Sequence, residues 1–172
     1  NIKGLYKDMD TSEATEVDYS FASGSRAGGS SIQLYAGPVS GPFELVIEDF
    51  TNEIQWKFIS GTYNVPVGQT KTRFIFRPKE NAIGHIIDAA NFKIPTEIST
   101  EEGTTLDCTT TTTTLVARGI GQWIADANNP SAVVIASPNS GTTSVSGFNS
   151  PGNYVFHWKT RYCEQSINVE KQ

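Results

Sequence analysis

Three sets of side chains in this sequence could do chemistry. Tyr35, Trp56 and Tyr63 offer flat aromatic faces, and Arg73, Arg77, Asn64 and Gln69 offer polar reach. An aromatic face stacked on a pyranose ring, with polar groups at its hydroxyls, is the usual chemistry of sugar recognition. Against that use, Trp56 and Phe58 share a strand face and suit a core better than a platform. Arg73 and Arg77 share the face opposite Phe74 and Phe76, which is either a solvated sheet surface or a concave binding one. The second set centres on Asp88. Phe92 and Ile94 should face a core, so a period of two turns Ala90, Asp88 and Ile86 toward it as well. A buried carboxylate is costly without partners, so Asp88 must find them or be neutral. The third set is Cys108 and Cys163, with Trp123 between them. Only His85 and His157 could join the two thiols in a metal site, and no Cys–His pairing has support in the sequence.

The elements that must carry these residues read as strands. Alternation with period two recurs along the chain, and no window of a dozen residues shows a helical apolar stripe. Candidate strands at 16–22, 31–36, 43–47, 55–63, 70–77 and 84–94 are separated by clusters of Gly, Pro, Asn and Ser. The polar segment 95–103 reads as a linker or a short first strand. Thr-rich strands follow at 109–118, 121–125, 131–137, 142–147, 153–160 and 166–170. The run of Thr from 109 to 114 favours extended backbone and fits a strand edge or turn. Tyr154, Phe156 and Trp158 share one face and suit a core, which leaves His157 on the outer face.

Short strands at this spacing predict an all-β chain of two β-sandwich domains, 1–97 and 98–172. The formal net charge is −5 from 13 basic and 18 acidic side chains. Neither half is basic, so no nucleic-acid footprint is present. The apolar runs are far too short for a membrane-crossing helix, which needs about 20 residues. No secretory signal is visible, so the chain reads either as a mature piece or as a segment cut from something longer, with neighbouring domains as partners in the second case. Among catalytic signatures, no nucleophile elbow, phosphate loop or HExxH is found. The expectation is a non-catalytic protein.

The stretches LVARGIGQW (115–123), ANNPS (127–131), SPNS (137–140) and SPGNYVFHW (150–158) resemble the Ig-like/PKD-like repeats of very large surface adhesins in gliding Bacteroidetes. These are the kind exported by the type 9 secretion system. Those repeats often carry a Cys before the second strand and another after the sixth. The resemblance, together with the Cys–Trp–Cys order, implies an Ig-like domain with a Cys108–Cys163 disulfide. Bridging requires Cα atoms within about 7 Å. In the first half, WKF (56–58), YNVPVGQTKTRFIF (63–76) and HIIDAANFKI (85–94) resemble the late strands of jelly-roll carbohydrate-binding-like modules of the same surface proteins. That resemblance implies a jelly-roll-like first domain and makes Asp88 a possible ligand of structural Ca²⁺. Asp8, Asp10, Glu13, Glu16 and Asp18 would then supply further oxygens. The competing account has Asp88 accepting backbone N–H groups at a corner or bulge. Together these features imply a secreted or cell-surface adhesin module pair contacting a surface polysaccharide or other cell-surface ligand. A plain stalk and an accessory region of a polysaccharide-degrading enzyme are the alternatives.

Overall fold

A computed structural model of the 172-residue chain describes residues 4–26, 29–51, 55–79, 84–161 and 163–172. Among them the secondary structure is all β, in four sheets, with no helix. The chain divides into two compact units, Asn1–Ile94 and Pro95–Gln172, against an expected joint between residues 97 and 98.

The first unit is a sandwich of two sheets. Its strands are β1 (Leu5–Asp10), β2 (Glu16–Ser25), β3 (Ser30–Pro38), β4 (Glu44–Thr51), β5 (Lys57–Asn64), β6 (Lys71–Pro78) and β7 (His85–Lys93). One sheet has the order β1-β6-β3-β4 and the other β5-β2-β7. The pairs β1–β6, β2–β5 and β3–β4 are nested, as in a long hairpin rolled upon itself, and β7 adds to the second side of β2. This is a jelly-roll-like arrangement. Alternation explains the layers. Val17, Tyr19 and Phe21 of β2 point inward between Asp18, Ser20 and Ala22, and meet Ile32 and Leu34 of β3 and Phe74 and Phe76 of β6. Phe21 meets Phe76 edge-on at 4.9 Å, and Phe92 of β7 stacks on Phe74 at 4.4 Å. Each such side chain contributes about 1.5–3 kcal/mol on full burial.

One irregularity decides where Asp88 points. Along β2 the partners of Ser20 and Ala22 are Asn91 and Asp88, so β7 carries one residue too many between them. The extra residue is a bulge, and Ala89 there has φ of 51°. Phe92 and Ile87 both pack on the core although their numbers differ in parity. Asp88 is therefore exposed, and its Oδ1 accepts the Ala89 N–H at 2.7 Å. The expectation of a core-facing Asp88 fails because period two does not run through a bulge. Its alternative role, a backbone acceptor at a bulge, is what the structure contains.

The second unit holds β8 (Ile98–Thr100), β9 (Thr105–Leu106), β10 (Thr112–Ala117), β11 (Gln122–Ala125), β12 (Val134–Ile135), β13 (Thr142–Ser146), β14 (Gly152–Lys159) and β15 (Glu164–Lys171). The sheets are β12-β13-β10-β8 and β11-β14-β15-β9, with β9 parallel to β15 and the other pairs antiparallel. This is the order of an Ig-like sandwich whose first strand is split between the sheets. Tyr154, Phe156, Trp158 and Trp123 are buried together, and the two indoles lie 5.1 Å apart. Near the start of β14 the Tyr154 hydroxyl donates to the Ser150 carbonyl at 2.8 Å, a tyrosine corner. In disulfide-bearing relatives of this fold the second cysteine stands two residues after that Tyr, where this chain has Phe156.

The cysteines sit elsewhere, and the expected Cys108–Cys163 bridge is absent: both thiols are free. Leu106 pairs with Lys171 at the end of β15, and Asp107 carries the chain on to Cys108. Cys163 stands just before Glu164, where β15 begins. The two are separated by the length of that strand, roughly 25 Å at 3.3 Å per residue. That is several times the span a disulfide tolerates.

Candidate functional site

The outer face of the sheet β5-β2-β7 brings together a flat aromatic surface and a set of short polar side chains. On β5, burial alternates so that Ile59 and Tyr63 point inward while Phe58, Ser60, Thr62 and Asn64 point outward. Trp56 precedes the strand with the same parity as Phe58. Trp56 is 56% exposed and Phe58 68% exposed. Residues two apart on a strand stand about 6.6–6.8 Å from each other, so the two rings form one apolar strip along the sheet edge.

What lies beside the strip is small. Ala22 pairs with Phe58, and Gly24 of β2 lies next to the indole. A Cβ built on Gly24 would stand 3.3 Å from Cε3 of Trp56 and 3.5 and 3.6 Å from Cδ2 and Cζ3. The indole therefore rests on bare backbone, and a larger residue at 24 would displace it. On the far side of β2 comes β7, where Asp88 pairs with Ala22 and Asn91 with Ser20. Ser20 also pairs with Ser60, and Thr62 Oγ1 donates to Asp18 at 2.7 Å. The face thus has an aromatic edge, a shallow floor at Ala22 and Gly24, and a rim of carboxylate, amide and hydroxyl groups. Asp88 and Asn91 also border a cleft of about 540 Å³ between β1 and β7, lined on its other side by Leu5, Tyr6 and Lys7.

The sequence candidates divide among three places. Trp56 is on this face, against the expectation that it and Phe58 are core. Tyr63 is 4% exposed and packs edge-on against Phe74 at 5.6 Å, out of reach of any ligand. Burial pushes its phenol upward, and Gln69 donates to it and to Thr72 Oγ1. Tyr35, Arg73 and Arg77 lie on the outside of the other sheet. There Arg77 covers the Tyr35 ring at 5.4 Å, and Arg73 covers Tyr6 at 4.2 Å. Arg73 also forks onto both Asp8 oxygens at 2.6 and 2.7 Å, which holds the Asp8 carboxyl below the usual carboxylate range. Tyr35 donates to Gln33, Gln33 to Glu48, and Lys79 to Glu48, so this surface is largely committed to itself.

The N-terminal acids do not gather around Asp88. Asp8 serves Arg73, Asp10 caps the Ser12 N–H at 3.0 Å, and Asp18 serves Thr62. Among the described residues no group of three His, Cys, Asp or Glu side chains is placed to hold a metal ion. In the second unit, Asp107 accepts four hydrogen bonds from Thr109 and Thr110, and Glu102 accepts three from Thr113 and Thr114. Both carboxyls are held below their usual range by these bonds. His157 lies on the outer face, 2.8 Å from Ser166 and 3.4 Å from Asp126.

Sequence reasoning did not place Phe58, Gly24, Ser20, Ser60 or Asn91 at this face, and it turned Asp88 toward the core although it named the bulge-acceptor role. One signal was present for Trp56 and Phe58: their parity along the strand is shared by Ser60, Thr62 and Asn64, whereas the opposite parity holds Ile59, Tyr63 and Val65. No helix among the described residues is long and apolar enough to cross a membrane. Comparison with protein-family models, curated proteins and solved structures returned no match for this chain.

Proposed function

We propose that the first unit is a glycan-contacting module whose binding face is the outside of β5-β2-β7, and that the second is an Ig-like spacer beside it. The pair would serve a secreted or cell-surface adhesin in contact with a surface polysaccharide. The observation that carries this reading is the exposed Trp56–Phe58 strip, with the indole seated on Gly24. Leaving two large aromatics in water forgoes about 1.5–3 kcal/mol for each, and stacking on a sugar ring is a use for that surface. Asp88 and Asn91 supply acceptors and a donor for hydroxyls across the shallow floor. Glu16, Asp18 and Asp88 outnumber Lys93 on this face, which favours a neutral glycan over a sulfated or uronic one.

The test is binding of the intact chain to a panel of neutral and acidic polysaccharides, in millimolar calcium and again in EDTA. Saturable binding to a neutral member, equal in both buffers, is the expected result. Loss of binding in EDTA would return Asp88 to the role of calcium ligand. No binding to any member would leave the chain as a stalk. Because Trp56 is exposed, Trp56→Ala should weaken binding tenfold or more, about 1.4 kcal/mol, without lowering the unfolding temperature.

A further inference from the structure

Behind this face runs a line of hydrogen bonds that ligand contact does not use. Ser30 Oγ lies 2.8 Å from His85 Nδ1, and His85 Nε2 lies 2.9 Å from Ser23 Oγ. Ser23 Oγ donates to Asp49 Oδ2 at 2.9 Å, and Lys57 Nζ donates to Asp49 Oδ1 at 2.5 Å. The line ties β3, β7, β2, β4 and β5 at one end of the sandwich. Ser23, Ser30 and Asp49 are 0%, 1% and 4% exposed. Its proton order follows from the inventory of donors. An ionised carboxylate only accepts, so the one Ser23 proton goes to Asp49 and Ser23 must accept from His85 Nε2–H. Nδ1 is then the acceptor for the Ser30 hydroxyl, which requires a neutral imidazole.

Three members of the line are chain neighbours of the platform or of Ile86, which pairs with Gly24 across β2 and β7. Ser23 precedes Gly24, Lys57 follows Trp56 and His85 precedes Ile86. Successive strand residues point to opposite sides, so the inward bonds hold the backbone whose outward side is the indole, its floor and Ile86.

We propose that Ser30, His85, Ser23, Asp49 and Lys57 form a positioning device for Trp56, and that a second proton on His85 loosens the indole from Gly24. The proposal rests on the platform reading for its use in binding, though not for the motion itself. A proton on Nδ1 turns the Ser30 hydroxyl from donor to acceptor and puts a second cation on the line that ends at Lys57, with Asp49 the one carboxylate for both. Among the described residues the charged group acting on His85 is Asp49 from β4; Lys57 from β5 joins the line through Asp49, and β2 and β3 present the hydroxyls of Ser23 and Ser30. Burial pushes the imidazole below its ordinary value, with Asp49 and the Ser30 backbone acting more weakly in the other direction. The transition therefore falls below the ordinary imidazole range.

Trp56 can be followed alone in the intact chain, because Trp123 and Trp158 are buried at 2% and 0% exposure. Quenching by succinimide, a neutral quencher, would be measured from pH 8 to 5 beside NMR titration of the two His. The expected result is a rise in Trp56 quenching of less than twofold, since 56% of the residue is already open, with the midpoint of His85. In His85→Gln, which can still donate to Ser23 and accept from Ser30 without charging, the rise should vanish. Ser30→Ala removes a donor that favours the neutral ring, so the midpoint should move to higher pH. A flat response in the native chain, a rise that follows His157, or a rise retained in His85→Gln would overturn the proposal. Should His85→Gln not fold, an unmoved midpoint in Ser30→Ala would overturn it. A transition at the His85 midpoint in a chain that binds no glycan would uphold the positioning device and defeat the platform reading.

Discussion

Trp56 is held open by the absence of a side chain at position 24. Gly24→Val should tilt the indole and weaken glycan binding at least as much as Trp56→Ala, with fluorescence quenching as the structural readout. In the second unit the Tyr154 hydroxyl is the residue-scale counterpart. It lies 2.6 Å from Ser131 Oγ as well as bonding Ser150. Tyr154→Phe strands those partners and should cost about 1–3 kcal/mol, read as a lower denaturant midpoint at unchanged slope. His85 adds a pH term of definite sign. Its folded value is depressed below the unfolded one, so between the two the unfolded chain binds more protons. Stability is therefore fully present above about pH 6.5 and is lost as pH falls toward the folded value. His85→Gln should flatten that limb of the stability curve, measured by denaturant titration at several pH values.

The bulge on β7 is where local geometry and site composition meet. An alanine at φ of 51° sits in a region that costs a residue with a Cβ roughly 1–2 kcal/mol. Ala89→Gly should relieve that strain and stabilise by up to about 1 kcal/mol net of chain entropy, seen as a rise in unfolding temperature, whereas Ala90→Gly gains nothing. The bulge also marks what was readable in the sequence. Strands such as β2, β3 and β6 were legible because one face is apolar and the other polar. β5 was ambiguous, since both parities carry large apolar side chains at its start, and only the Ser60, Thr62 and Asn64 ladder separates them. β7 was misread because the inserted residue leaves the composition untouched while reversing which side chains face in. β1 went unseen: of LYKDMD only Met9 packs on the core. The site inherited both errors, so residue types could be named while their directions could not.

At the scale of the molecule, two sandwiches with separate cores account for the chain without a covalent clamp. Each core is continuous across its pair of sheets, and the second replaces an inter-sheet disulfide with packed Leu115, Phe156 and Trp123. Thiol titration of the unreduced, denatured chain should therefore find both cysteines free, and reductant should leave the unfolding temperature unchanged; loss of both thiol equivalents in a monomeric chain, restored by reductant, would contradict the separation of Cys108 and Cys163. The adhesin reading is built on the first unit's face and extends to the whole chain only through it. The most direct check is a side-by-side binding isotherm of the native chain and Trp56→Ala on neutral polysaccharides at pH 7.5. Saturable binding by the native chain, weakened tenfold or more in a variant that unfolds at the same temperature, is what the platform predicts. Equal isotherms for the two chains, or no binding by the native one, would contradict it.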